Sequence, residues 1–134
     1  MSRTLKVVAW AGTLALATLI AWVIYLADTG QSSVFFQLVR ALPYGDKLGH
    51  FCLYGLLTLG ANLVSGGRVW RCGSLRIYWG ATAVGLLASL EELSQAWFPS
   101  RTLDITDLAA DLAGILLFSL VTRYLLGVTR ADPG

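Results

Sequence analysis

Asp46, Lys47 and His50 fall within five positions of one another, and Tyr54 follows four residues after His50. On a helix, spacings of i, i+4 and i+8 set Asp46, His50 and Tyr54 along one face. A second polar set lies far along the chain: Glu91, Glu92 and Gln95, then Arg101, Asp104, Asp107 and Asp111. Asp104, Asp107, Asp111 and Gly114, spaced three and four apart, share a face in the same way. Carboxylates beside one histidine suit proton transfer, or a hard to borderline divalent metal ion. His50, Glu92, Asp107 and Asp111 are the candidate ligands for such an ion. His50 and Glu92 are the candidate general bases, and Arg101 is the candidate for stabilising developing negative charge. The whole set (Asp46, Lys47, His50, Tyr54, Glu91, Glu92, Gln95, Arg101, Asp104, Asp107 and Asp111) is the candidate ligand-binding surface.

These groups interrupt an otherwise apolar chain. Hydrophobic residues make up 56% of the 134 positions and charged residues 13%, a balance far from that of a soluble globule. The pattern predicts a single-domain polytopic membrane protein. A formal charge of +2 is too small to suggest nucleic-acid binding. Cys52 and Cys72 show neither CxxC nor metal-ligand spacing. The opening "MSRTLK" resembles the start of a signal peptide, but the apolar core after it is too long and no convincing small-x-small cleavage site ends it. It is therefore expected to remain as a first span. No GxSxG elbow, HExxH pair, P-loop or dinucleotide fingerprint is present.

Four segments approach the roughly 20 apolar residues needed to cross a bilayer: Val7–Ala27, Leu48–Ser65, Ile77–Phe98 and Leu108–Leu126. Gly66 and Gly67 stop the second and Pro99 follows the third. The expected fold is an all-α four-transmembrane-helix bundle. In the first outer loop, Phe35, Leu38, Val39 and Leu42 form an i, i+3, i+4, i+7 stripe ending at Pro43. That stripe predicts a short interfacial helix, or else an apolar loop packed on the bundle. Arg3, Lys6, Arg68, Arg71, Arg76, Arg123 and Arg130 fall on one side of this topology, against Arg40, Lys47 and Arg101 on the other. The positive-inside rule then makes both termini cytoplasmic. Trp97 and Phe98 mark the outer interface, and Tyr78 and Trp79 the inner one.

On this topology the polar stretches of spans two, three and four meet at the outer face. Glu91 and Glu92 lie on the order of 8–10 Å inward from Trp97 and Phe98, and Asp111 about 10 Å inward from Asp104. Such groups should point into the bundle rather than at lipid, so a polar pocket, open outward, is expected. Its acids outnumber Lys47 and Arg101, so some must be protonated, share a proton, or hold a cation. Structural roles compete at several positions. Asp46 reads as an N-cap, and Asp104 with Asp107 as a capping box. Lys47 and Arg101 read as ion-pair partners of neighbouring acids. Gln95 reads as a hydrogen-bond partner of Glu91, Tyr54 as packing, and Gly114 as a helix-contact point. Glu91, Glu92 and Asp111 lie too deep for caps, and neutral amides would serve as interhelical glue at lower cost.

The segments "LPYGDKLGHFCLYGLL" and "EELSQAWFPSRTLDITDLAADLAG" resemble the VanZ-like family of small bacterial membrane proteins. The likeness covers about Leu42 to Phe118 and carries the family's polar residues in order. It implies importance for Asp46, Lys47, His50, Tyr54, Glu92, Gln95, Arg101, Asp104, Asp107 and Gly114. Position 111 departs, since the family usually has Asn where this chain has Asp111. The resemblance also implies a multi-pass protein of the bacterial cytoplasmic (inner) membrane, linked through the family's name to resistance against the glycopeptide teicoplanin. The expected partners are membrane lipids and a cell-envelope component, either a lipid-linked cell-wall precursor or a glycopeptide. A metal-assisted hydrolase or transferase acting on an envelope lipid is the rival expectation, and a proton-coupled transporter or channel a third.

Overall fold

The structure is a computed structural model that describes residues 2–30, 41, 44–98 and 104–131, without the side chains of Ala27, Asp46 and residues 128–131. The stripe from Phe35 to Leu42, the breakers Pro43 and Pro99, and Arg101 lie outside the described residues. Helix α1 spans Arg3–Asp28 and α2 spans Gly45–Val64. Strands β1 (Val69–Cys72) and β2 (Leu75–Tyr78) follow, then α3 (Trp79–Ser94), a 3₁₀ turn (Gln95–Trp97) and α4 (Ile105–Ala131). Two helices, over Arg3–Leu26 and Ile105–Gly127, are long and apolar enough to cross a membrane.

The sequence predicts the third span to begin at Ile77 and the chain to be all helix. Instead, Ile77 and Tyr78 belong to an antiparallel hairpin with the register Val69↔Tyr78, Trp70↔Ile77, Arg71↔Arg76 and Cys72↔Leu75. The cause is local. Val-Trp and Ile-Tyr, good strand formers, flank a two-residue Gly73-Ser74 turn in which Gly73 takes φ +64°. Helix α3 therefore starts at Trp79. At about 1.5 Å per residue its α-helical part measures roughly 24 Å, and the 3₁₀ turn adds about 6 Å. Together they match the roughly 30 Å of a bilayer's hydrocarbon layer.

Helix α2 ends in a Schellman motif. Gly67 N–H donates to Asn62 O at 2.9 Å and Gly66 N–H to Leu63 O at 3.1 Å, with Gly66 at φ +74°. Its start corrects another expectation. The N-cap is Tyr44, at φ 54°, with no side-chain cap bond, so Asp46 is already inside the first turn. An exposed tyrosine in the left-handed region, not an aspartate cap, sets the direction of entry.

Ile20 of α1, Tyr54 and Leu57 of α2, Ala81, Val84 and Ala88 of α3, and Ile115 of α4 form one apolar cluster. The closest crossing joins α2 and α4. A Cβ on Gly114 would stand 2.2 Å from the Phe51 carbonyl oxygen, and one on Gly55 would lie 3.1 Å from the Gly114 carbonyl oxygen. Missing side chains thus let the two backbones touch. Asn62 ties three helices together at the other end of α2. Its Nδ2 donates to Thr122 Oγ1 on α4 at 3.1 Å, and its Oδ1 accepts the Ala81 N–H at 2.9 Å. Ala81 is the third residue of α3, so Asn62 supplies the N-terminal cap that Tyr78 cannot.

Burial is inverted relative to a water-soluble domain. The largest fully buried side chains are Gln95, Glu92, Asn62, Thr58, Thr122 and Asp111. Trp10, Leu14, Trp22, Leu86, Leu90, Leu116 and Leu120, spread over α1, α3 and α4, are exposed. Soluble folds keep such contiguous apolar surface small.

Candidate functional site

The Gly55–Gly114 crossing brings the first half of α2 against the first half of α4, which fixes the site. Lys47 Nζ donates to Asp104 Oδ2 at 2.9 Å and to Asp107 Oδ1 at 2.6 Å. One turn deeper, His50 Nδ1 lies 2.8 Å from Asp111 Oδ1, while Nε2 lies 3.8 Å from Asp107 Oδ2. A carboxylate only accepts, so the His50–Asp111 bond forms with the hydrogen on Nδ1. The Tyr54 ring stacks on the imidazole with centroids 6.0 Å apart and planes at 15°. The result is a ladder between two helices, part-exposed at Lys47 and Asp104 and closed at Asp111.

Helix α3 joins the ladder through its last turn. Glu92 Oε1 accepts the backbone N–H of Asp104 at 2.7 Å. Gln95 Nε2 lies 3.2 Å from Glu92 Oε2, and 3.1 and 3.0 Å from the two Glu91 oxygens. One amide thus bridges two buried carboxylates, and Gln95 holds Glu92 as well as the expected Glu91. The three polar stretches do meet. All the candidates with described side chains fall in this network: Lys47, His50, Tyr54, Glu91, Glu92, Gln95, Asp104, Asp107 and Asp111. Arg101 and the Asp46 side chain lie outside the described residues.

The predicted capping box is half formed. Asp104 Oδ1 accepts from Thr106 N–H at 2.9 Å and from the Thr106 hydroxyl at 2.5 Å, so Asp104 caps α4. Asp107 does not reach back to the Asp104 N–H. Glu92 takes that donor, which leaves Asp107 for Lys47. Lys47 itself is engaged by two carboxylates, so its ion-pair role outweighs contact with an anionic ligand.

The Thr106 hydroxyl, with the Lys47 ammonium and the Thr106 N–H, lowers the Asp104 carboxyl from 3.8 to about 2. A carboxyl whose folded pKa is depressed stabilises the fold above its unfolded pKa, and that contribution is lost as pH falls through the folded one. Unfolding followed against pH is expected to show a loss of stability between pH 3.8 and about 2 that Asp104→Asn reduces. An unchanged profile in the variant would contradict this.

Among the described residues no group of three or more His, Cys, Asp or Glu side chains is arranged to hold a metal ion. Of the candidate ligands, Asp107 is turned to Lys47, Asp111 to His50 and Glu92 to a backbone amide. Within the ladder, Asp111 Oδ2 is buried with no hydrogen-bond partner among the described residues, as are Thr13 Oγ1 and Ser119 Oγ elsewhere.

Sequence reasoning missed Asn62, Thr58 and Thr122, all fully buried. An asparagine in the midst of the apolar run "LLTLGANLV" was the available signal, because a lone amide there needs a polar partner on a neighbouring helix. No family model, curated protein or solved structure matches the chain.

Proposed function

We propose that this chain is a VanZ-like, four-span protein of the bacterial cytoplasmic membrane, with both termini cytoplasmic. It binds or modulates a cell-envelope component through the polar ladder at the outer end of α2, α3 and α4. The inverted burial supports the membrane reading, since polar groups gather inside while large apolar side chains face outward. The 20 residues of α2 and the combined length of α3 and its 3₁₀ turn suit a bilayer. The two-segment polar pattern around Asp46–Tyr54 and Glu92–Gly114 supports the family reading.

The observation that carries the binding reading is Asp111. It is fully buried, pairs through one oxygen with His50 and leaves the other without a hydrogen-bond partner among the described residues. A buried acceptor left unmade costs about 1–3 kcal/mol, and burying the charge adds a cost that a purely structural cluster would avoid by using a neutral amide. A ligand amine or hydroxyl would satisfy it. Arg101 would meet phosphate or carboxylate groups on the same ligand, which fits a lipid-linked cell-wall precursor or a glycopeptide such as teicoplanin. Mass spectrometry of extracts from protein purified out of bacterial membranes tests this. Wild type is expected to carry a polar lipid or peptide-glycan ligand, and Arg101→Ala and Asp111→Asn to lose it. Full occupancy in both variants would contradict the assignment.

One observation favours a second reading, a small intramembrane hydrolase or transferase acting on an envelope lipid. Asp111 orients His50 through Nδ1, the arrangement that readies Nε2 as a general base. Turnover of an envelope lipid abolished in folded His50→Ala protein would support it over simple binding.

A further inference from the structure

The β1–β2 hairpin carries features that the polar ladder does not use. Arg71 and Arg76 stand directly opposite one another across the strands, where like charges are destabilising unless something neutralises them. Both are exposed, and neither forms an ion pair among the described residues. Arg68, just before β1, lies over the Trp79 ring at 5.5 Å. Strand alternation puts Trp70, Cys72, Leu75 and Ile77 on the face opposite the arginine pair. Trp70 Nε1 donates to Thr82 Oγ1 at 2.8 Å, which pins the hairpin to α3. Even so, Trp70, Leu75 and Trp79 remain exposed. A two-stranded hairpin is marginal in water, and this one presents apolar side chains on one face and unneutralised guanidinium groups on the other.

We propose that the hairpin is an anionic-phospholipid site, in which Arg71 and Arg76 grip a headgroup phosphate from opposite strands while Trp70, Leu75 and Trp79 lie among the lipids. Guanidinium groups match phosphate oxygens in a two-point fork. The hairpin joins the end of α2 to the start of α3, so in a bilayer it sits at the depth of the headgroups, where tryptophan is favoured. That depth and the exposed tryptophans point to a lipid headgroup over free phosphate or an acidic protein. The proposal rests on the membrane reading of the bundle, and is independent of what the polar ladder binds.

Native mass spectrometry of the full chain, released from mixed micelles of phosphatidylglycerol and phosphatidylcholine, reads the preference directly. Each basic side chain near an anionic surface contributes about fivefold. Arg71→Gln/Arg76→Gln is therefore expected to weaken phosphatidylglycerol binding on the order of 30-fold and leave phosphatidylcholine binding unchanged. Arg3→Gln/Lys6→Gln removes the same charge at the start of α1 and is expected to change it far less. Equal binding of the two lipids by wild type would overturn the proposal and leave the pair to an acidic protein partner. So would an equal loss in the control variant, or displacement of the lipid by inorganic phosphate at matched concentration. Resistance of the protein to alkaline extraction from vesicles reports membrane insertion separately. A failed lipid preference in inserted protein therefore counts against the site, and failed insertion against the membrane reading.

Discussion

Gly114→Val is expected to destabilise the bundle by about 3 kcal/mol or more. A Cβ at this position would lie 2.2 Å from the Phe51 carbonyl oxygen and 3.1 Å from its carbonyl carbon. Both neighbours are helix backbone, which cannot rotate away as a side chain can. The α2–α4 crossing must then open, and the opening pulls Lys47 and His50 away from Asp104, Asp107 and Asp111. Overpacking of a tight contact costs about 1–3 kcal/mol and occasionally more, and a backbone clash stands at the upper end. Gly55→Ala meets mainly the Phe118 ring, which can turn aside, so a milder loss is expected there. Thermal unfolding in detergent checks both. A Gly114→Val protein as stable as wild type would show that the helices do not cross as described.

Asp111→Ala carries the second large effect. It leaves the part-buried His50 Nδ1 without its 2.8 Å partner and opens a void beside the Gly114 contact. Removing one member of a buried pair costs about 3–5 kcal/mol. His50 keeps some exposure, which places the loss near 3 kcal/mol, roughly a 10 °C fall in Tm for a domain of this size. A double-mutant cycle with His50→Ala should return a coupling of about 1–3 kcal/mol. Additive losses would mean that the pair does not form.

Much of this arrangement was legible in the sequence. Polar residues spaced three and four apart in apolar runs have to face inward, which is why the ladder from Lys47 to Asp111 and the Gln95–Glu91 contact followed from spacing and depth. Gly114 was readable as a contact point for the same reason. What spacing could not show was who pairs with whom. The donor that Asp107 would take in a capping box goes to Glu92, a residue on another helix, and Lys47 claims Asp107 instead. Those choices depend on how three helices rotate about their axes. The hairpin was missed for a different reason. Apolar Ile77 and Tyr78 adjoin a helical run, and hydropathy alone cannot separate a short strand from a helix start. The Gly73-Ser74 turn between strand formers held the distinguishing signal. At Asp46 the left-handed Tyr44 begins the helix early, and nothing in the type of either residue announces that.

If the ladder is kept for binding at some expense of stability, Asp111→Asn exposes that trade-off. Asparagine preserves an oxygen for His50 Nδ1 and replaces the carboxylate oxygen that has no partner among the described residues with a neutral group of the same shape. The measurement is the Tm of wild type and Asp111→Asn, each freed of copurifying ligand, in the same detergent. A Tm for the variant equal to or above that of wild type is expected, as at a site where function opposes stability. A loss approaching the roughly 10 °C expected for Asp111→Ala would mean that the charge itself holds the helices together, and would contradict the claim.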